Sequence, residues 1–458
     1  NGSSPSAWKR AKIVLIHKGS SASHVSHYRP ISLTSTCSKI LEHIVSKHLL
    51  TYLDEHNLIV SCQHGFRKGL STVTQLIELV HDLSSTVNTR GQTDIIFFDF
   101  PKAFDKVSHN NLLLKIDSTF NNSALTQWFS SYLARREQYV QLGHHQSGLS
   151  PVVSGVPQGS VLGPLLFLVF INDLPKNITT QIRTFADDCV LYKNVQSSSD
   201  QAELNLNLER IKNWCDQWQM QLNPTKTVFM SISRKNNILS YPYCINDHEL
   251  AHAKQYKYPG LIFTHDLRWN LHVEELCSKA NKVLWGLRRN LRFASPEVKT
   301  LAYKTLLRPI IEYAKVVCDP YTQTNCLKLD KIQRLSSRFI FIKYRRFHSP
   351  TELCKLAELL PLQKRTEYER LKFLFIILHN HVKITNDRYF EIKTQKTSRR
   401  RHSMYIPPPK VYNDRIRYSF FPRAIQQWNP LQDSVVKIKS LTDFLEAIKH
   451  IVHSDTMR

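Results

Sequence analysis

Apolar residues recur along this chain with two different periods, and the changes between them mark out its elements. Residues 11–16, Ala-Lys-Ile-Val-Leu-Ile, read as a short strand. Ile40, Leu41, Ile44, Val45, Leu49, Tyr52 and Leu53 recur at helical spacing and predict a helix with one apolar face. Val73, Leu76, Ile77, Val80 and Leu83 predict a second helix, with Ser71-Thr72 placed to cap its start. Asp94-Ile95-Ile96-Phe97-Phe98 is too short for a helix and rich in strand formers, so it reads as a buried strand ending at Asp99. Leu162 to Leu174 is an apolar helix. Thr184 to Tyr192 reads as two short strands about a tight turn at Asp187-Asp188. Asp200 is expected to cap a helix carrying Leu204, Leu208, Ile211, Cys215 and Trp218. Beyond residue 266 the pattern is mostly helical. The fold class is therefore α+β, with a small sheet carrying the acids and helices around it.

Composition changes this picture mainly through charge. The 458 residues are 42% hydrophobic, ample for a large core, and the length suits two to three domains. Residues 1–265 hold 25 basic and 19 acidic side chains, a net +6; residues 266–458 hold 37 and 18, a net +19. A nearly balanced part with clustered acids joined to a basic part fits a catalytic body attached to a polyanion-binding region, although many of the Lys and Arg simply solvate helix faces. The nine cysteines are scattered and never form a Cys-x-x-Cys pair. They argue against a disulfide framework and a zinc finger, and fit a reducing compartment. The longest apolar runs, Leu165 to Ile171 and Phe373 to Leu378, are too short to span a bilayer, so no membrane partner is expected. No signal peptide or initiating Met opens the chain, which is expected to be a fragment of a longer product. Lys393 to Pro409 is polar, then Arg-rich, then Pro-Pro-Pro, and is expected to be a linker.

The acids carry the candidate chemistry. Asp99 closes one strand and Asp187-Asp188 occupy a hairpin turn. Adjacent ionised carboxylates repel, and a third acid nearby makes the cluster costly unless cations sit among them. Hard divalent cations with oxygen ligands answer that need, and magnesium also binds phosphate. An ordinary turn is the competing reading of Asp-Asp taken alone.

The phrases around the acids narrow the choice. "YRPISL" (28–33) and "QHGFRKGLST" (63–72) come first, followed by "FFDFPKAFDKVSH" (97–109) and "SGVPQGSVLGPLLFLVFINDLP" (154–175). "FADD" (185–188), "LNPTKT" (222–227) and "YPGL" (258–261) follow, with "RPIIEYA" (308–314) and "SFFPRAIQQWNPL" (419–431) downstream. In this order they resemble the reverse transcriptases of non-LTR (LINE-type) retrotransposons, of the jockey/CR1-like group. The resemblance implies a right-hand polymerase. Its parts would be fingers at 1–92, a palm with a small antiparallel sheet at 93–265, a helical thumb at 266–345, and a basic helical C-terminal region at 346–458. It implies an RNA-directed DNA polymerase that transfers nucleotides from dNTPs to a primer 3′-hydroxyl on an RNA template, in target-primed retrotransposition. The expected partners are RNA template, DNA primer or target, and dNTPs, in the nucleus after a cytoplasmic ribonucleoprotein stage. A catalytically silent, element-derived nucleic-acid-binding protein is the alternative.

Roles follow from the same resemblance. Asp99, Asp187 and Asp188, with the backbone carbonyl of Phe100, would hold two Mg2+ ions, with Mn2+ as the substitute. Lys226 matches a general acid for the pyrophosphate leaving group, a plain surface Lys being the competing reading. Phe104 matches a steric gate against the ribose 2′-hydroxyl. Arg67, Lys102, Ala103, Gln158 and Gly159 would meet the incoming nucleotide. Lys12, Lys18 and Arg29 are further fingers candidates, each read alone as a solvated charge. Tyr258 and Gly260 match the primer grip. Asp105 is read as structural. Three positions depart from the pattern: Pro101 removes a backbone donor beside Asp99, Pro259 is expected within a strand, and Cys318 stands where Trp is common.

Overall fold

The structure, a computed structural model, describes residues 2–19, 23–384, 388–392 and 402–454. In chain order it runs through β1 (Arg10–His17), β2 (Tyr28–Leu33), α1 (Thr36–Glu55), α2 (Thr72–Asn88), β3 (Gln92–Phe98), α3 (His109–Phe120) and α4 (Ser123–Leu133). Next come β4 (Arg136–Leu142), β5 (His145–Gln146), β6 (Ser150–Val152), α5 (Leu162–Ile171), β7 (Gln181–Phe185), β8 (Asp188–Val195) and α6 (Ser198–Trp218). The strands β9 (Val228–Ser233), β10 (Cys244–Ile245), β11 (His248–Glu249), β12 (Ala251–His252), β13 (Gln255–Tyr258) and β14 (Leu261–Thr264) lead into α7 (Asn270–Asn290). Helices dominate from there, including Gln323–Phe341 and Leu362–Leu378. The α+β class read from the sequence holds. Among the described residues, no helix is long and apolar enough to cross a membrane.

These elements group into two compact units. One contains residues 1–68, 94–230 and 239–253, and the other contains 69–93, 231–238 and 254–458. Residues 69–93, expected with the fingers, group with the second.

The first unit carries two five-stranded sheets. One has the order β2-β1-β4-β5, with β6 also on β4, and β1 runs antiparallel to β2 but parallel to β4. The other has the order β12-β9-β3-β8-β7. Its central strand β3 is buried along its whole length, which is why its apolar run does not alternate. The one acid inside it, Asp94, accepts from Gln201 Nε2 (2.9 Å) and the Tyr243 hydroxyl (2.7 Å).

Helix α5 buries nine of its ten residues. Ser160 Oγ, just before it, accepts from the Gly163 N–H (2.9 Å), and two charged side chains from elsewhere also hold its ends. Glu42 Oε2 accepts from the N–H groups of Val161 (2.7 Å) and Leu162 (3.2 Å), while Lys115 donates to the Phe170 carbonyl at the other end. The negative group at the N-terminus and the positive group at the C-terminus each oppose the helix dipole. This arrangement corrects the face predicted for α1. Ile40 and Ile44 are exposed, and the buried row is Ser38, Glu42, Ser46, Leu49 and Leu53, because Glu42 must point inward to reach α5. A smaller correction concerns α6. Ser197 is its N-cap, and Asp200 completes the capping box by accepting from the Ser197 N–H (3.0 Å).

In the second unit, α7 packs with Gln323–Phe341 around a core that includes Leu284, Leu307, Ile332 and Ile340. The antiparallel hairpin β13-β14 pairs Tyr258 with Leu261. Pro259 therefore sits in the turn rather than in a strand, contrary to the sequence reading. Pro followed by a residue of positive φ (Gly260, 78°) is the order a type II turn requires. The Tyr313 hydroxyl donates to the Pro259 carbonyl (2.8 Å), and a Cβ on Gly260 would stand 2.8 Å from the Tyr313 ring. Of the expected linker, residues 393–401, which include Arg399-Arg400-Arg401, lie outside the described residues. Residues 402–409 are packed rather than free: Ile406 is fully buried, its N–H donates to Asn429 Oδ1 (3.2 Å) and its carbonyl accepts from Asn429 Nδ2 (2.7 Å).

Candidate active site

Asp99 begins the loop after β3, and the 222–227 phrase clasps it from both sides. Its carbonyl accepts from the Asn223 N–H (3.0 Å) and its N–H donates to Thr227 Oγ1 (3.4 Å). Lys226 stands exposed between those two anchors. On β7-β8 the last ladder pair is Phe185 with Asp188, so Ala186-Asp187 form the two-residue turn. Because β8 neighbours β3, this turn comes beside Asp99.

The acids sense one another. Burial raises the Asp187 carboxyl above its ordinary value and Asp99 adds to this, while Arg29 opposes it. Burial, and then the charge of Asp187, push Asp188 up to about 6, again with Arg29 opposing and Asp99 adding. Asp188 keeps contact with water, so crowding by atoms and like charge raises it rather than complete enclosure. Among the described residues no three acid, imidazole or thiol groups close around one point. The donor set nevertheless suits a hard divalent cation: all its atoms are oxygens, and Asp99 Oδ2 is buried without a hydrogen-bond partner.

The 97–109 and 154–175 phrases are fastened together. The Gly155 N–H donates to the Val107 carbonyl (2.7 Å), and the Val156 N–H to the Phe104 carbonyl (2.8 Å). Gln158 Nε2 donates to Asp105 Oδ1 (2.9 Å), and its own carbonyl accepts from the Ser32 N–H (2.6 Å). Gly159 is exposed at this junction. Asp105 thus acts on Gln158, in keeping with a structural role, and burial raises its carboxyl. Phe104 is half-buried. Its ring stacks on Phe167 (centroids 4.3 Å apart, 16° between planes) and meets Phe66 edge-on at 6.2 Å. Pro101 and Lys102 form a turn in which Lys102 has positive φ (54°), an order in which Pro at the preceding position is favoured. Ala103 is buried just beyond it.

Two predicted contributors are engaged elsewhere. Arg67 donates through Nη1 to the carbonyls of Val60 (2.9 Å) and Gln63 (3.3 Å), and its Nη2 lies 3.9 Å from Asp54, so its fork is used by its own loop and the end of α1. Tyr258 is buried, and its hydroxyl accepts from Gln75 Nε2 (2.7 Å), so the ring is not free for a primer. Three residues stand out that sequence reasoning passed over or undervalued. Arg29 reaches the acids electrostatically, Glu42 caps α5 within the 154–175 phrase, and Gln63 contacts the acid turn. Glu42 left little signal, being one of several polar residues in an amphipathic run. Gln63 left only its membership of a quoted phrase.

The sequence profile of the reverse transcriptase (RNA-dependent DNA polymerase) family matches residues 16–263, more than half of the chain. The chain belongs to this reverse transcriptase family. The RNA-directed DNA polymerase from the mobile element jockey of Drosophila melanogaster is 28% identical over 387 residues, covering 80% of this chain and 42% of that protein. Its counterpart from Drosophila funebris is 30% identical over 351 residues, covering 73% and 38%. The probable RNA-directed DNA polymerase from transposon BS of Drosophila melanogaster is 29% identical over 350 residues, also covering 73% and 38%. This reverse transcriptase chain therefore spans about two-fifths of the length of these relatives. The kinship with non-LTR retrotransposon reverse transcriptases read from the motifs stands. Among solved structures, apo telomerase from Candida tropicalis covers 84% of this chain and 69% of its own at 13% identity, with a TM-score of 0.46.

Proposed function

We propose that this chain is the polymerase part of a non-LTR retrotransposon protein and extends a DNA primer on an RNA template with dNTPs. The observation that carries the reading is the meeting of Asp99 with Asp187 and Asp188 at the end of the β7-β8 hairpin, one buried carboxylate oxygen lacking a partner, in a chain of the reverse transcriptase family. Asp99, Asp187, Asp188 and the Phe100 carbonyl would hold two magnesium ions. Such a pair, when bound, activates a 3′-hydroxyl and neutralises charge on the reacting phosphate.

The chain's own residues do the positioning. Phe104, fixed by Phe167, presents a ring to the sugar and excludes a 2′-hydroxyl. Gln158, oriented by Asp105, and Gly159 lie where the incoming base pair would rest, with Lys102 and Ala103 beneath the triphosphate. Arg29 supplies the cation for that triphosphate in place of Arg67, since its charge already reaches Asp187 and Asp188. Lys226, exposed on the loop that clasps Asp99, donates a proton to the departing pyrophosphate. The turn of β13-β14 would meet the primer through backbone at Gly260. Residues 1–92, 93–265 and 266–345 would act as fingers, palm and thumb. In a cell the work belongs to the nucleus, at a nicked target.

The deciding experiment is primer extension on an RNA template with and without magnesium. Wild type should extend only with the ion. Asp187→Ala should lose extension by about a hundredfold or more while template–primer affinity holds. Extension that survives in Asp187→Ala would sink the reading.

A further inference from the structure

We propose that Gln63 is a positioning residue for Asp187, holding the acid turn in shape through the peptide of Ala186. The proposal rests on the placement of the acids given above and concerns a residue outside the catalytic set. The β7-β8 turn has only two residues, and the first, Ala186, has a φ of 55°. That left-handed backbone is one an L side chain adopts reluctantly, and two-residue hairpins of this kind normally use Gly or Asn there. Asp187 is not among the residues of positive φ, so the turn depends on Ala186 alone for its unusual backbone.

The turn is held from outside the hairpin. Gln63 is 2% exposed, and its Oε1 accepts two backbone N–H groups at once, from Gly65 (2.8 Å) and from Ala186 (2.9 Å). Residues 62–64 also run beside the end of β7. The His64 N–H donates to the Thr184 carbonyl (2.9 Å), and the Thr184 N–H donates to the Cys62 carbonyl (3.0 Å). This pairing fixes the distance from Gln63 to the turn, so the amide oxygen cannot drift from Ala186. The fit leaves no spare room, because a Cβ on Gly65 would stand 2.4 Å from the Ala186 nitrogen. The segment 62–65 is thus shaped to the acid turn, and Gln63 supplies the acceptor that a buried N–H in a strained turn requires. Asp187 is the next residue along. Its carboxylate direction is set by the peptide that Gln63 grips.

The test uses the full 458-residue chain. Gln63→Met keeps the size and removes the acceptor. Three results are expected. Hydrogen exchange at the Ala186 amide should accelerate by about tenfold or more while exchange in the β3 core is unchanged. Mn2+ affinity, read by electron paramagnetic resonance without substrate, should fall several-fold. In primer extension kcat should drop by about ten- to a hundredfold, with KM for dNTP nearly constant, as misplacing a reacting group by a fraction of an ångström would cause. Ala186→Gly in the Gln63→Met background removes the backbone strain, and should restore Mn2+ affinity and most of kcat. A purely structural Gln63 would not be rescued in this way. Unchanged Ala186 exchange and Mn2+ affinity in folded Gln63→Met, or loss that Ala186→Gly does not recover, would overturn the proposal. Failure of the polymerase reading shows itself separately, as a wild-type chain that does not extend primers although its Ala186 amide is protected.

Discussion

Phe104 has one face against Phe167 and an edge against Phe66, so its ring cannot rotate away from whatever approaches its open side. A fixed ring excludes by shape, and replacing it with a methyl group removes the obstacle without touching an acid. Phe104→Ala should therefore raise ribonucleotide incorporation relative to deoxynucleotide by about 10- to 100-fold. Competitive primer extension with matched rNTP and dNTP checks it, and unchanged sugar discrimination would remove Phe104 from the gate. The sequence could point to Phe104 because the position lies within a strongly patterned phrase. It could point to Asp99, Asp187 and Asp188 for the same reason, and because clustered carboxylates demand an explanation in charge. Arg67 shows what such a phrase leaves open. A guanidinium suits a triphosphate as well as it suits two carbonyls and a carboxylate, and only the fold shows that Val60, Gln63 and Asp54 have claimed it. Gln63 was illegible for a related reason: a neutral amide carries no charge signature, and its partner is a backbone N–H far along the chain.

At the scale of elements, runs that bury both faces or carry turn chemistry were readable, and faces decided by a distant partner were not. Strand β3 announced itself as a short apolar run. The face of α1 did not, because Glu42 turns inward only to meet the start of α5. Pro259 looked misplaced until the β13-β14 register put it at the turn. The start of α7 offers a prediction of the same contextual kind. His272 is fully buried there, its Nδ1 accepts from the Ile262 N–H (3.4 Å), and its Nε2 has no partner. Burial depresses it from 6.5 to about 4, so the fold takes the neutral ring. The unfolded chain binds a proton below about 6.5 and the folded chain only below about 4. Stability is therefore fully present above the unfolded value and declines as pH falls through that window, by about 3 kcal/mol in total. Denaturant midpoints measured from about pH 7.5 down to about 4.5 should fall more steeply for wild type than for His272→Gln. Parallel curves would show that some other group governs the acid limb.

Across the whole molecule, the charge asymmetry was the most legible feature and the division into units the least. Two of the crossings between units fall inside strands β3 and β9, where side-chain pattern continues without a break, so no linker-like composition marks them. The charge, by contrast, only needed to be located. No acid occurs between Glu275 and Glu297, nor between Asp330 and Glu352. The fold sets these two stretches together within the second unit. Arg288 donates to the Leu335 carbonyl (3.4 Å), and its guanidinium lies 5.4 Å from the ring centres of both Trp285 and Tyr344. Around it Lys282, Arg289, Lys343, Arg345 and Arg346 are exposed, with Trp285 open among them. A surface of cations without counter-charges binds a polyanion largely by releasing the counterions of the phosphates, whatever the sequence. Affinity for an RNA–DNA hybrid should thus fall steeply between about 50 and 200 mM salt. Replacing both Arg345 and Arg346 by Gln should flatten the slope of log affinity against log salt by about 0.7–0.9 for each phosphate that is no longer neutralised. Because both side chains are exposed, the melting temperature should hardly move, which separates a weakened grip on phosphate from a weakened fold. Fluorescence anisotropy on hybrids of two unrelated sequences reads the slope and its independence of sequence. An unchanged slope in the double variant would mean that the basic excess of this unit solvates the surface and grips nothing.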